Sequence, residues 1–402
     1  MNGLINEILK NKANEVESYV INLRREFHEH PEVAANEEWT SRRIKEEIDK
    51  IGLPYEMVSN TGFIATLDTG REGKSVALRA DIDALPMQEN PENLKGKKVV
   101  VSKIDGVCHS CGHDAHASML LGAMKILVDI KDELEGKIFF CFEEGEESGT
   151  GINGMLEALS KKKIDTVWAI HVYSALESGK ISVDKGPRMA GSCGIDVTVH
   201  GKGGHGSRPD LSASPIYAAA CIMNNLSAAW INQIDANETV TLGIANFHSG
   251  TEATNIIPET ATFKGSMRYF NVKEGEKALN IVKEISEATA KMHKCNVKFG
   301  SRMIMSVGPT INDEECSLLA KKALSEVLPE GTVSTCSKWY ASESMSRYLE
   351  RYPGVFAFLG IKNDELGSGA EHHNERFDVD DSVLKIGVLS TAKYAVSFLN
   401  DK

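Results

Sequence analysis

SVALRADID, residues 75–83, is an apolar run that closes on two aspartates. A short continuous run of this kind reads as a strand buried on both faces. KIFFCF (137–142) and TVWAIHV (166–172) have the same character. Helical patterns separate them: residues 115–130, with Met119, Leu120, Ala123, Met124 and Leu127 on the apolar side, and residues 151–159. Strand and helix in alternation predict an α/β fold, a mostly parallel sheet flanked by helices. Upstream, Ile5, Ile8, Leu9, Val16, Val20, Ile21 and Leu23 recur at helical spacing within the first fifty residues.

The pattern changes after Gly186-Pro187. Residues 195–199 (IDVTV) alternate like a half-exposed strand, and the glycine-rich GKGGHG (201–206) follows. A helix near 214–230, strands near 239–247 and 260–268, a helix near 274–293 and a strand near 296–299 make a small α+β insert. The α/β pattern returns from about Val307, with a helix at 314–327, a strand at 354–359 and a helix at 381–399. The expectation is a discontinuous domain over 1–187 and 304–402, interrupted by a smaller domain over 188–303.

Length supports two domains, since 402 residues exceed one typical core. A composition of 42% apolar and 25% charged residues excludes a disordered or fibrous chain. The formal charge of −12 repels phosphate backbones and anionic bilayers, so neither nucleic acid nor membrane is an expected partner. No signal peptide and no membrane-spanning run is expected. Of eight cysteines only Cys108 and Cys111 lie close together, which is no disulfide framework and points to a reducing cytoplasm.

The chemistry concentrates in VCHSCGHDAH (107–116), two thiols and three imidazoles in a loop before a helix. Thiolate and imidazole are preferred donors for zinc and similar ions, and Cys111 and His113 can close on one ion from a loop. No second CxxC or HxxxH accompanies them, so a catalytic site is favoured over a structural one. Cys111 as a nucleophile served by His113 is the weaker reading, because sequence neighbours rarely adopt that geometry. Glu143-Glu144-Gly145-Glu146-Glu147 follows KIFFCF, at the strand end where open parallel sheets bind ligands. There one acid can hold a metal while its neighbour moves a proton. Asp81 and Asp83 close their strand in the same way, His171 lies near the end of its own, and AEHHNERFD (370–378) adds two histidines.

These blocks carry a resemblance. LRREFHEHPE (23–32), LRADIDALPMQE (78–89), CHSCGHDAHASMLLGA (108–123), FEEGEESGTGINGM (142–155), AIHVYSALESG, GKGGHGSRP, TNIIPETATFKGSMR, SESM and HHNERFDVDD stand in the order found in the aminoacylase-like metallopeptidase family. The chain resembles, over nearly its full length, the subgroup of hippurate hydrolase, N-acyl-amino-acid amidohydrolases and auxin-conjugate hydrolases. The resemblance implies two divalent ions per subunit (manganese, zinc or nickel) on Cys111, His113, Glu147, His171 and His373. It implies Glu146 as general base; beside it, Asp83 reads as an acceptor that orients a ligand or a metal-bound group, or as an Asp that caps a turn. The resemblance makes the insert a lid and dimerisation domain whose His205 reaches a partner's active site to stabilise the oxyanion. Asn255 and Arg268 match positions that recognise the substrate carboxylate, and a homodimer or homotetramer through the lid is implied.

Three departures stand out. Glu143 and Glu144 replace the family's usual glutamine and proline and put extra negative charge near the metals; Asp210 replaces a second lid histidine; Ser344 replaces an acid. The expected activity is hydrolysis of an N-acyl amino acid or similar conjugate to a carboxylate and a free amino acid. A dipeptidase or carboxypeptidase on the same scaffold, and a conjugate-binding protein without turnover, are the rivals.

Overall fold

The computed structural model describes residues 2–401. They fall into two compact units: residues 2–188 with Ile311–Ser337 and 347–401, and Met189–Thr310 with Lys338–Ser346. Sequence analysis placed the insert at 188–303; the second unit instead extends to Thr310 and takes in the short return segment Lys338–Ser346.

The first unit opens with two helices, α1 (Asn2–Glu29) and α2 (Glu38–Ile51). Six strands follow: β1 (Tyr55–Met57), β2 (Phe63–Asp68), β3 (Ser75–Asp81), β4 (Lys137–Glu143), β5 (Thr166–Glu177) and β6 (Ile181–Ser182). With strand Gly354–Lys362 they form one sheet, in the order β1, β2, β4, β3, β5, Gly354–Lys362, β6. The four central strands run parallel, and β1, β2 and β6 join antiparallel at the edges. Every residue of β3 is buried, as a strand covered on both faces must be. The cover on one side is α1, α3 (His113–Asp129) and the helix Leu384–Asn400, which pack on one another through Val20, Leu23, Met119, Leu120, Val388 and Ala392.

Two sequence expectations shift. The strand reading stopped β5 at Val172, but β5 continues to Glu177, so His171 is mid-strand. It still lies at a strand end in the sense that matters: β3 pairs with β5 only as far as Ala169, so His171 stands just beyond that pairing. The span Asp381–Asn400 is long and apolar enough to cross a bilayer by length and composition. It is a core helix instead, 72% buried and carrying Lys385 and Lys393.

The second unit is an antiparallel sheet in the order Val240–Ser249, Thr260–Tyr269, Gly191–His200, Asn296–Phe299, with helices Pro215–Gln233 and Val272–Met292 packed on it. Gly191–His200 alternates buried and half-buried residues, the signature of a sheet covered on one face.

Candidate metal centre

Cys111 and His113 owe their positions to the glycine between them. Gly112 adopts φ +95 as it enters α3, and a Cβ there would lie 2.3 Å from Val172 Cγ2. That turn delivers the Cys111 thiol and, at the first residue of α3, the His113 ring. Glu146 and Glu147 come from the turn after β4, which starts at Gly145 with φ +57. His171 comes from β5. His373 sits in a left-handed conformation, φ +60, with its N–H bonded to Ser110 O at 2.9 Å, so its loop is tied to the cysteine loop.

These side chains converge. Cys111, His113 and His171 present donor atoms within 4.8 Å of one another; so do Cys111, Glu147 and His373, and so do His113, Glu146 and Glu147. Cys111 Sγ is 3.6 Å from His171 Nε2, and His373 Nε2 is 3.2 Å from Glu147 Oε1. The five expected ligands and Glu146 are therefore one cluster rather than scattered residues. A fourth group, Asp81, His113 and His116, was not assigned from sequence. His116 is already satisfied on both ring nitrogens: Nδ1 donates to Asp81 Oδ1 at 2.6 Å and Nε2 accepts the Val172 N–H at 3.0 Å. It steadies Asp81 and β5. The three-residue spacing of His113 and His116 on one helix face is the signal that could have found it.

The supports select which atoms remain for a metal. Asp83 accepts His113 Nδ1–H at 3.1 Å and the Glu147 N–H at 3.0 Å, so one carboxylate orients both neighbours. His113 Nε2 is left buried without a hydrogen-bond partner, with Asp81 and Glu147 oxygens at 3.7 and 3.9 Å. His171 donates Nδ1–H to Val172 O at 2.6 Å, which turns Nε2 inward. Burial, reinforced by the nearby His116 and His372, holds the His171 pKa far below its ordinary value, so this ring is neutral, the form that ligates. His113 moves the other way: burial opposes its charge, but the Asp81 carboxylate, Cys111 and the bond to Asp83 together outweigh it and raise the pKa well above the usual value. A donor set that draws a proton onto a buried imidazole is one that attracts cations. A thiol, three imidazoles and a carboxylate, with orphaned Nε2 at the centre, fit divalent metal.

Glu143 and Glu144 correct an expectation. Both are buried and held in internal hydrogen bonds. Glu143 Oε2 accepts Arg79 Nε at 2.9 Å and Tyr348 O–H at 2.6 Å; Arg79 also grips Asp81 Oδ2 at 2.7 Å. Glu144 Oε2 accepts the N–H groups of Thr61 and Gly62.

The remaining three expected residues lie in the second unit. His205 pairs in a short ribbon with Ile256, and Gly206 N–H donates to Asn255 O at 2.8 Å, so His205 and Asn255 are neighbours. The Ser207 N–H donates to His205 Nδ1 at 3.2 Å, leaving the proton on an exposed Nε2. Arg268 stands on the strand Thr260–Tyr269, eight residues or about 27 Å along it from Thr260, and bonds Ser192 Oγ at 2.9 Å. Asp210 is held by Arg208 in a two-point ion pair, and Ser344 donates to Glu343 Oε1 at 3.2 Å.

Residues 77–395 match the model of peptidase family M20/M25/M40. The chain belongs to this family. It is a metal-dependent hydrolase of amide bonds. It is 37% identical to thermostable carboxypeptidase 1 of Saccharolobus solfataricus, over 98% of this chain and 99% of that protein. It is 33% identical to IAA-amino acid hydrolase ILR1-like 5 of Arabidopsis thaliana, over 95% and 87%. Among solved structures it is similar to a dinuclear metal binding peptidase of the M20 family from Bacillus subtilis, with TM-score 0.83, 27% identity, and coverage of 97% and 100%.

Proposed function

We propose that this member of the family cleaves the amide bond of N-acyl amino acids or closely related conjugates, releasing a carboxylate and a free amino acid. The observation that carries the reading is the shared corner of the cluster: Cys111 belongs to two donor groups, one completed by His113 and His171, the other by Glu147 and His373. Those five residues would hold two divalent cations, of manganese, zinc or nickel. When bound, the cations supply Lewis acidity towards the amide carbonyl and towards water. Glu146, half-buried beside His113 and Glu147, takes the proton from the attacking water and returns it to the leaving nitrogen. Asp83 keeps His113 and Glu147 in register for that exchange. His205, with its outward Nε2–H, donates to the developing oxyanion, and Asn255 and Arg268 recognise the substrate carboxylate. His205 and Asn255 stand together beside the short ribbon and Arg268 stands on the strand Thr260–Tyr269, and these three donors act together across copies of the chain.

The unpaired edge strand Val240–Ser249, with Phe247 exposed, and the helix beside it, with Tyr217 and Ile231 exposed, support a homodimer or homotetramer through this unit. Eight free cysteines support a reducing cytoplasm. The test is turnover of N-acetyl, N-benzoyl and indoleacetyl amino acids beside a dipeptide panel, with manganese, zinc or nickel supplied. Turnover of the acyl amino acids is expected. Activity confined to peptides would favour the second reading, a carboxypeptidase, which rests on the 37% identity to the Saccharolobus enzyme.

A further inference from the structure

The turn that carries Glu146 and Glu147 is fastened by two buried acids that the proposed reaction does not use. Glu37, at the start of α2, is fully buried. Its Oε1 accepts the N–H of Gly145 at 2.8 Å and of Ala35 at 3.0 Å, while Oε2 stands 2.8 Å from Thr61 Oγ1. Glu144 Oε2 accepts the Thr61 N–H at 2.6 Å and the Gly62 N–H at 2.9 Å, and lies 2.6 Å from the same Thr61 Oγ1.

A hydroxyl has one proton to give. Two ionised carboxylates cannot both receive it, and leaving two oxygens in contact with no hydrogen between them, away from water, is costly. One carboxyl must bring a second proton. The hydrogen-bond inventory says which. Glu144 already takes two amide donors on the oxygen that faces Thr61, so that oxygen has no room for a proton; with the Thr61 hydroxyl, these bonds hold its pKa below the ordinary value against burial. Glu37 is pushed the other way by burial, with the Asp83 charge adding to it. Its two oxygens also behave differently, one accepting two N–H groups as a carbonyl does, the other facing only the hydroxyl.

We propose that Glu37 is a protonated carboxyl that donates to Thr61, which in turn donates to ionised Glu144, and that this chain of bonds positions the Gly145 turn and hence the base Glu146. Glu37 is thus a positioning residue. Its carbonyl oxygen fixes Gly145 before the acid pair, and Asp83 fixes the Glu147 N–H after it, so the backbone is held on both sides of Glu146. The role rests on the reading of Glu146 as the base.

Glutamine at position 37 keeps an oxygen for Gly145 and Ala35 and an N–H for Thr61, whereas alanine keeps neither. Glu37→Gln is therefore expected to retain kcat within ~3-fold of the native enzyme. Glu37→Ala is expected to lose roughly 10- to 100-fold in kcat with KM little changed and metal content intact. The infrared difference spectrum of native protein minus Glu37→Gln should show the C=O stretch of a protonated carboxyl at neutral pH. A Glu37→Gln enzyme as impaired as Glu37→Ala, or a difference spectrum showing only carboxylate, would overturn the proposal. If Glu37→Ala does not fold, Glu37→Gln and the spectrum still decide. If the native protein turns over no acyl amino acid, the proposed reaction fails while the spectrum continues to test the shared proton.

Discussion

The roles of single residues separate cleanly at this site. Cys111, His113, Glu147, His171 and His373 face one another, while Asp83 and His116 are taken up in supporting bonds. Replacing Glu146 by Gln keeps the shape and removes the base, so kcat is expected to fall by about 10²- to 10⁴-fold with metal content unchanged. Steady-state kinetics beside metal analysis checks this; equal loss of metal and activity would make Glu146 a ligand. Gly112→Ala is expected to impair metal loading, because it puts a Cβ 2.3 Å from Val172 and forbids φ +95. Metal content after reconstitution reads it out. The donors were legible from residue type and motif order. The partnership of His116 with Asp81 was not, because it depends on how α3 lies across β3, and neither was the internal bonding of Glu143 and Glu144. In sequence those acids are two more charges in an acidic run; only folding brings Arg79, Tyr348, Thr61 and Gly62 to them.

At the scale of elements, α1 is joined to the head of α3 by buried charges. His28 Nδ1 donates to Asp114 Oδ2 at 2.8 Å and Nε2 to Glu89 Oε1 at 2.9 Å, and Arg24 Nε lies 2.9 Å from Asp114. Burial opposes the charge on Glu89, but the bond and charge of His28, the Lys98 ammonium and the Ser102 N–H together prevail and lower its pKa from about 4.5 to about 2. A carboxyl with a depressed folded pKa stabilises the fold above its unfolded pKa and loses that contribution as pH falls through the folded one. The Glu89 share is therefore expected to vanish between about pH 4.5 and 2. His28 has a raised pKa, so its share is present below its ordinary value and lost as pH rises through the folded one. Denaturant titrations across pH should show a shallower acid loss in Glu89→Gln than in the native chain; identical slopes would remove Glu89 from the linkage. Most elements were legible because their periodicity is strong, as in α1, β3 and residues 272–292. The strands β1 and β2 were not, since β1 is three exposed residues and β2 is a brief run with no helix after it. The continuation of β5 past His171 is set by pairing with Gly354–Lys362, which sequence does not announce.

For the whole molecule, the division into an α/β unit and an α+β unit was readable from where the pattern changes. The return of Lys338–Ser346 to the second unit was not, because that short segment has no periodicity of its own. A catalytic metal and a folding metal make different demands on such a chain. Chelation is expected to abolish turnover reversibly while lowering Tm only by the linkage of bound ions. Cooperative unfolding on adding EDTA, followed by circular dichroism, would instead mark a structural site. The measurement that bears most directly on the account is metal stoichiometry at equilibrium in the native, Glu146→Gln and Cys111→Ser chains. Two divalent ions per chain are expected in the first two, with a clear deficit in Cys111→Ser; a native chain that binds none, or a Cys111→Ser chain that keeps both, would contradict it.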